Sequence, residues 1–332
     1  RLGAPRTVAE GIRLLALGWG STGGGANPVV KRLLPVLSAA LTVTIGCSDL
    51  VGPQLQPNER CGVQSNALAA FEDPGLEASV RRELALGAAE PLTCERVTAL
   101  TSVNAEFSGV TDLSGAQNLT SVNSLLLGGN HISDLSALSG LVKLEFLDVR
   151  ENSVADVGPL SGLTNLLGLS LSRNSIVDIG PLGNLVGLEL LGLDYNLIED
   201  VSPLSGFSAL SRLVLFENSI TDISPLSGLL SLGLLDLGEN SVVDLTPLSG
   251  LLSIAVLGLE SNRITDVSGL EGLNLLSTLI LDANSQLRDI QPLFDNDGLG
   301  TGATVHLRDT NVLCVDVEAL RTRGATVVSE CS

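Results

Sequence analysis

An asparagine recurs every 22 residues from Asn130 to Asn284, and this spacing constrains the fold more than any other feature of the chain. Around each asparagine the pattern is L-x-x-L-x-L-x-x-N-x-I-x-D, and the apolar residues at positions 1 and 4 keep the period through nine repeats. Self-similarity at such a period is typical of solenoids, in which each repeat packs only against its neighbours. The spacing therefore predicts leucine-rich repeats over residues 100–294.

Each repeat divides into a strand and a turn. Positions 4 and 6 are apolar and alternate with position 5, which predicts a strand with two faces. Stacked at about 4.8 Å, these strands form a parallel sheet roughly 45 Å long. The second half of a repeat predicts a short helical turn, with Ser202 as an N-cap and Pro203 as the first helical residue. The expected fold is a right-handed α/β solenoid with a concave parallel sheet and convex 3-10 turns.

Two polar positions of the repeat are predicted to be structural. The asparagine at position 9 carries two donors and an acceptor, so we expect it to satisfy backbone groups of its own and adjacent repeats. The consensus aspartates are also interpreted as structural, and they are Asp112, Asp134, Asp156, Asp178, Asp200, Asp222, Asp244, Asp266 and Asp289.

The array is predicted to be capped at both ends. Residues 73–87 predict a helix before the first repeat, and residues 316–324 predict a second helix followed by a strand at 326–328. Caps of this kind cover sheet edges that would otherwise pair with other chains. The predicted divisions are 1–28 as upstream sequence, 29–46 as a signal peptide, 47–70 as a linker, 71–99 as the N-terminal cap, 100–294 as repeats, and 295–332 as a degenerate repeat with the C-terminal cap.

The residues before position 47 have the pattern of an export signal. Lys31-Arg32 precede an apolar run at 33–45 and then a small residue, which is the order of a secretory signal peptide. The chain contains no Met, and residues 1–28 are glycine-rich and unpatterned. We therefore expect translation to start at Val29 or Val30, with residues 1–28 being upstream sequence.

The signal ends in a motif that predicts lipidation. Thr44–Cys47 is similar to a bacterial lipobox, in which the cysteine is acylated and becomes the mature N-terminus. Acyl chains hold a protein at a membrane by burying methylene groups, at about 0.8 kcal/mol each. The alternative is a plain signal peptide in which Cys47 is incidental.

The remaining cysteines are even in number, as expected for an exported protein with disulfides. Cys61, Cys94, Cys314 and Cys331 allow three pairings. The two local pairings, Cys61–Cys94 and Cys314–Cys331, each close one end of the array and are the ones expected here. The alternative is four buried thiols.

Composition excludes several classes of function. The net charge of −19, with 36 acidic and 13 basic residues after position 46, disfavours nucleic acids and anionic lipid surfaces as partners. The histidines, His131 and His306, lie eight repeats apart, or roughly 38 Å along the sheet, so they cannot share a metal or a catalytic triad. The glycines at 18–23 precede an export signal and not a helix, and residues 295–298 lack the glutamate of a calcium loop. We expect no enzymatic activity and no cofactor.

The repeat containing Asp222–Leu229, with its D-I-S-P-L-S-G-L sequence, resembles the 22-residue repeats of internalins. The resemblance extends from about Phe71 to Cys331, and Phe71–Pro74 is similar to the start of the helical cap that precedes such arrays. It implies a bacterial surface protein that binds other proteins through its concave sheet.

Positions 3, 5, 7 and 8 are predicted to be exposed on that concave sheet. Tyr195 and Phe216 follow adjacent strands and are expected to form one contiguous patch, and aromatic residues and arginine dominate interface energies. The acidic residues there indicate a partner with basic groups, or serve solubility alone. The predicted binding residues are Phe146, Asp148, Arg150, Arg173, Leu190, Asp194, Tyr195, Arg212, Val214, Phe216, Glu217, Asp236 and Glu239.

These features together predict an exported, monomeric, non-enzymatic module that binds a protein partner. We expect it in a bacterial envelope, held only by the lipid on Cys47, at the outer membrane, the periplasmic face or the cell surface. Two alternatives stay open: a structural component that serves as a spacer, and a glycan-binding adhesin. The low aromatic content, 2% of the chain, disfavours a flat carbohydrate platform.

Overall fold

A computed structural model describes residues 52–62 and 66–331 as one continuous solenoid. The upstream segment 1–28, the signal peptide 29–46 and Cys47 lie outside the described residues. Within the described part, no helix is long and apolar enough to cross a membrane.

In this described part of the chain, eleven three-residue strands form one parallel sheet, and each strand pairs with the next along the chain. Equivalent positions of neighbouring repeats are paired, as in Val103 with Leu125, so the register is constant. The strands are β1 Ser102–Asn104, β2 Ser124–Leu126, β3 Phe146–Asp148, β4 Gly168–Ser170, β5 Leu190–Gly192, β6 Arg212–Val214, β7 Leu234–Asp236, β8 Val256–Gly258, β9 Thr278–Ile280, β10 Thr304–His306 and β11 Thr326–Val328.

In the described residues, short turns on the opposite side of the solenoid connect the strands, and four helices lie among these turns and at the ends of the array. The helices are α1 Pro74–Glu83, α2 Cys94–Thr98, α3 Gln291–Phe294 and α4 Cys314–Thr322. The leucines and isoleucines at positions 1, 4 and 6 fill one continuous core between the sheet and the turns. The 3-10 turns are Ala116–Asn118, Ser136–Leu138, Gly158–Leu160, Gly180–Asn184, Ser202–Leu204, Ser224–Gly228, Thr246–Leu248 and Ser268–Leu270.

The asparagine at position 9 joins adjacent repeats, as predicted. The Asn152 amide donates to the carbonyls of Val149 and Arg150 in its own repeat and to that of Leu127 in the preceding one, each at 3.0 Å. Its Oδ1 accepts the backbone N–H of Ile132 at 2.9 Å. The side chain thereby satisfies buried backbone groups that the tight turn after each strand leaves without a partner.

The nine consensus aspartates are structural, as predicted, and they also correct the predicted cap. Each accepts the N–H of the residue two positions later; for example, the Ser202 N–H donates to Asp200 Oδ1 at 2.7 Å. The N-cap position of that turn is Val201, and Ser202 is the first residue of the turn. Because the aspartate already satisfies the first N–H, Ser202 is not needed as a cap.

Position 8 of the repeats has left-handed backbone, with φ between 51° and 62° from β1 to β9 where the residue is not glycine. The residues are Phe107, Glu151, Arg173, Tyr195, Glu217, Glu239, Ser261 and Ala283. This conformation is unfavourable for residues with a Cβ atom, at about 1–2 kcal/mol each. It turns the chain away from each strand and presents the position 8 side chain at the margin of the concave sheet.

The N-terminal cap is tied to the first repeat by Asp73. Its Oδ1 accepts the N–H groups of Gly75 and Leu76 at the start of α1, and its Oδ2 accepts the Thr111 N–H at 2.8 Å. Leu76 and Val80 of α1 are fully buried, as the helical pattern predicts.

Residues 52–62, which we expected to belong to a linker, instead pack against the array. The Asn118 side chain bonds the backbone of both Glu59 and Cys61, and a disulfide joins Cys61 to Cys94, as predicted. Leu55 and Cys61 also pack against the edge of the core, so isolated apolar contacts, hydrogen bonds and the disulfide hold this segment without a periodic apolar pattern.

The C-terminal cap contains the second predicted disulfide, Cys314–Cys331. The helix α4 begins at Cys314, two residues before the predicted start at Asp316, and buries Val317 and Leu320. Strand β11 pairs with β10 and extends the sheet by one strand, as predicted.

Candidate concave binding site

The concave sheet has a packed surface of its own, which corrects the predicted exposure of position 5. Asp148, Val214 and Asp236 were expected to be exposed, and all three are buried; so are Asp194 and Phe216 at position 7. Of the other predicted residues, Arg173, Arg212, Glu217 and Glu239 are exposed, and Phe146, Arg150, Leu190 and Tyr195 are half-buried.

Glycines on neighbouring strands explain this burial. A Cβ atom on Gly168 would lie 2.8 Å from the Phe146 ring, and one on Gly238 would lie 2.8 Å from the Phe216 ring. The rings of Phe146 at position 3 and Phe216 at position 7 therefore lie across adjacent glycines. They cover position 5, so the concave floor is a second, shallow packed layer.

An arginine–aromatic cluster from three consecutive repeats lies midway along the array, and it contains the predicted contact of Tyr195 with Phe216. The two ring centroids lie 5.3 Å apart with the planes tilted by 53°. The guanidinium carbon of Arg173 lies 3.7 Å from the centroid of the Tyr195 ring. Val214 and Phe216 form an apolar cluster separate from the main core, with Tyr195 and Leu234 packed against it. We call Arg173, Tyr195, Val214, Phe216 and Leu234 the central cluster.

A buried carboxylate lies beside the central cluster. The hydroxyl of Ser172 donates to Asp194 Oδ1. Burial raises the pKa of Asp194, and the Ser172 hydrogen bond and the charge of Arg173 offset only part of that increase. Sequence reasoning missed Ser172, although it stands 22 residues before Asp194 at the same repeat position.

A charged network covers the first strands of the concave face. Arg150 Nη2 reaches across Gly128 to Glu106 Oε1 at 2.7 Å, although the two residues are two repeats apart. Arg150 also pairs with Asp148. Phe107 precedes this network at position 8 and is 66% exposed. Apart from the exposed Phe107 ring, this end of the face is therefore polar and largely occupied by its own ion pairs.

Two acidic residues of the second half of the face lie over a glycine. A Cβ atom on Gly258 would lie 2.6 Å from Asp236 Oδ1 and 3.3 Å from Glu260 Oε2, so the two carboxylates lie above the same glycine. Within the described residues, no group of three or more His, Cys, Asp or Glu side chains has the arrangement of a metal site. Asn296 in the segment 295–298 is buried and donates to the backbone carbonyls of Leu270 and Leu273.

Comparisons with known proteins agree with this architecture. No protein-family model and no curated protein sequence matches the chain. Among solved structures, an internalin (inlF) from Listeria monocytogenes is 27% identical, with a TM-score of 0.65 over 78% of this chain and 90% of the other. Internalin C2 of the same species is 30% identical, with a TM-score of 0.52 over 73% of this chain and 93% of the other.

A plant receptor shows the same fold at lower identity. The peptide hormone receptor RGFR1, solved in complex with RGF2, is 21% identical, with a TM-score of 0.56 over 66% of this chain and 38% of the receptor.

Four observations lead to one family assignment: the constant 22-residue register, the asparagine ladder, the helical cap and the match to internalin C2. The chain belongs to the internalin-like family of bacterial leucine-rich repeat proteins.

Proposed function

We propose that this protein is a non-enzymatic binding module that recognises a protein partner through the central cluster. The observation that carries the proposal is the Arg173–Tyr195–Phe216 contact, which places an exposed arginine on aromatic rings of the concave face. Tyrosine and arginine supply much of the binding energy of protein interfaces. Arg173, Tyr195 and Phe216 follow strands β4, β5 and β6, and hydrogen bonds between the backbones of adjacent repeats fix their positions, which lowers the entropy lost on binding. The peptide-bound receptor of the same fold supports this use of the architecture.

The geometry favours a protein over a glycan. Sugar rings bind by stacking on open aromatic faces, but one face of Tyr195 is covered by Arg173. Phe216 is 6% exposed and has little surface to offer a sugar. A passive spacer would need no exposed arginine stacked on the only tyrosine of the chain.

Capture of partners from envelope extracts and neighbouring cell surfaces tests this proposal. The native chain is compared with a Tyr195→Ala/Phe216→Ala variant and with Leu252→Ala, which removes an exposed leucine elsewhere. Because Phe216 belongs to the separate cluster, we expect the double variant to keep the native circular dichroism spectrum. A protein that is retained by the native chain and by Leu252→Ala, and lost by the double variant, supports the proposal. If all three proteins capture the same partner equally, the central cluster is excluded as the binding site. If none of them captures a protein, the structural spacer is favoured.

Export and lipid anchoring at Cys47 are part of the same proposal. They are supported by the basic and apolar residues before a lipobox-like motif, and by two disulfides of the kind that persist in oxidising compartments. We expect a palmitate analogue to label the native protein and to leave Cys47→Ser unlabelled. Labelling of the variant, or none of either protein, contradicts the anchor.

A further inference from the structure

We propose that the Arg173 guanidinium, stacked on Tyr195, binds a carboxylate that the partner presents beside an apolar side chain. This inference rests on the proposed function and names the chemistry that the central cluster recognises.

Arg173 offers hydrogen-bond donors that the protein itself does not use. Its side chain is exposed and lies over the Tyr195 ring. Across residues 52–62 and 66–331, its guanidinium forms neither an ion pair nor a hydrogen bond with another residue. Arginine carries five N–H donors in a planar fork that matches a carboxylate in a bidentate arrangement. Stacking on the ring leaves the edge of that fork available to a partner.

The position of the guanidinium is set before a partner arrives. The Arg173 backbone is in the left-handed region, with φ 55°, and its N–H donates to the Asp194 carbonyl at 2.7 Å. The Tyr195 N–H donates in the same way to the Phe216 carbonyl at 2.8 Å. The ring beneath Arg173 is thus fixed by the backbone ladder and by its contact with Phe216. A fixed fork loses less conformational entropy on binding than a mobile one.

The neighbouring carboxylates of the protein do not occupy the Arg173 guanidinium. Asp194 is buried and already accepts the Ser172 hydroxyl. Glu151 and Glu217 occupy the same repeat position on either side of the Arg173–Tyr195 pair and are exposed. Their charges repel a dianionic phosphate more strongly than a single carboxylate. The partly exposed side chains of Tyr195 and Leu234, packed on the buried Val214–Phe216 pair, supply the apolar surface beside the fork. The combination fits a peptide carboxylate with an apolar neighbour.

The test uses Tyr195, the only tyrosine in the chain, as a reporter in the full-length protein. Uniform labelling with ¹³C-tyrosine gives one set of ring signals, which comes from the site itself. The probes are the peptide acetyl-Gly-Leu-Glu-Leu-Gly-amide and its counterpart with Gln in place of Glu. A third peptide has the Gln sequence and a free C-terminal carboxylate. It separates a side-chain source of the carboxylate from a chain terminus.

We expect the Glu peptide to shift the Tyr195 signals and to bind about tenfold more tightly than the Gln amide. Arg173→Gln should remove that difference. Arg173→Lys keeps the charge and loses the stacked fork, so it should bind the Glu peptide at least about threefold more weakly. The matched control is Arg263→Gln, which removes an exposed arginine outside the concave face and should bind as the native protein does. If the third peptide binds as tightly as the Glu peptide, a C-terminal carboxylate is sufficient for recognition by Arg173.

Three results would overturn the inference: equal affinity for the Glu and Gln amides, an undiminished preference in Arg173→Gln, or no shift of Tyr195 at millimolar peptide. If capture experiments still depend on Tyr195 and Phe216, the proposed function stands with a different recognition chemistry. If capture also fails to depend on them, both proposals are rejected.

Discussion

Asp148 Oδ2 lies 2.8 Å from Arg150 Nη1, and the aspartate side chain is 1% exposed although it belongs to the face that a partner would meet. Burial raises its pKa to about 6, and the charge of Arg150 offsets only part of that increase. The ionised carboxylate is therefore a source of instability within the concave floor.

This relationship predicts that Asp148→Asn stabilises the protein at pH 7.5 by about 1–2 kcal/mol. Between pH 4 and 6 the native state binds more protons than the unfolded state, so the native protein loses stability as pH rises through that range. The variant lacks this titration, and the two proteins should be equally stable near pH 4. Urea unfolding from pH 4 to 8 measures the difference, with the exposed Glu271→Gln as control. A variant less stable than the native protein at pH 7.5 would show that the Arg150 attraction outweighs burial.

Asn196→Ala should destabilise the protein by about 2–4 kcal/mol. Its amide donates to the carbonyls of Leu171 and Leu193, and its Oδ1 accepts the Ile176 N–H. Removing the side chain leaves several buried groups unsatisfied, at about 1–3 kcal/mol each before water and relaxation reduce the sum. Asn165→Ala removes one exposed hydrogen bond and should cost less than about 1 kcal/mol. Equal effects of the two substitutions in urea unfolding would refute the structural role of position 9.

Glu239→Gly should be more stable than Glu239→Ala by about 1 kcal/mol. Both variants remove the same charge, and only glycine relieves the left-handed backbone at φ 51°. The matched pair is Glu199→Gly and Glu199→Ala, at an exposed position with ordinary backbone, where alanine should be the more stable. Thermal unfolding of the four variants checks the expectation, which fails if both pairs give the same sign.

Asp73→Ala should cost about 2–3 kcal/mol and loosen the N-terminal cap. Burial alone would raise the pKa of Asp73, but hydrogen bonds from Thr111, Leu76 and Gly75 hold the pKa below its usual value. Its contribution is therefore present above the unfolded pKa of about 4 and is lost as pH falls through the lower native value. Hydrogen exchange of α1 measures the loosening. Asp73→Asn keeps one acceptor oxygen and should lie between the alanine variant and the native protein.

Sequence periodicity predicted those features that each repeat determines locally. The asparagine ladder, the structural role of the consensus aspartates and the strand in each repeat follow from residue types at fixed spacing, and they agree with the structure; the Ser202 cap was wrong, because Asp200 accepts the N–H at that turn. The two disulfides follow from the position of the cysteine pairs at the ends of the array. The start of α4 at Cys314 was missed because the expected cap, Asp316, is inside the first turn of the helix.

The burial of position 5 on the concave face could not be predicted from the residue pattern of a single repeat. Alternation places Val214 and Asp236 opposite the core, and that was interpreted as exposure. Their burial depends on which side chains of the adjacent repeats lie across which glycines, as Phe216 does beside Gly238. Such contacts join residues about 22 positions apart, so they emerge only when neighbouring repeats are compared column by column.

The constant register also determines how such a surface can change over evolutionary time. Every strand pairs with the next through equivalent positions, and α1 packs on β1 at one end of the sheet while α4 packs on β11 at the other. Duplicating or deleting one 22-residue unit by recombination would therefore move the two ends of the concave face apart or together by about 4.8 Å, with the cap contacts unchanged. The number of repeats in the array therefore sets the distance between binding groups on either side of an inserted unit. That distance can be inherited in steps of one strand spacing.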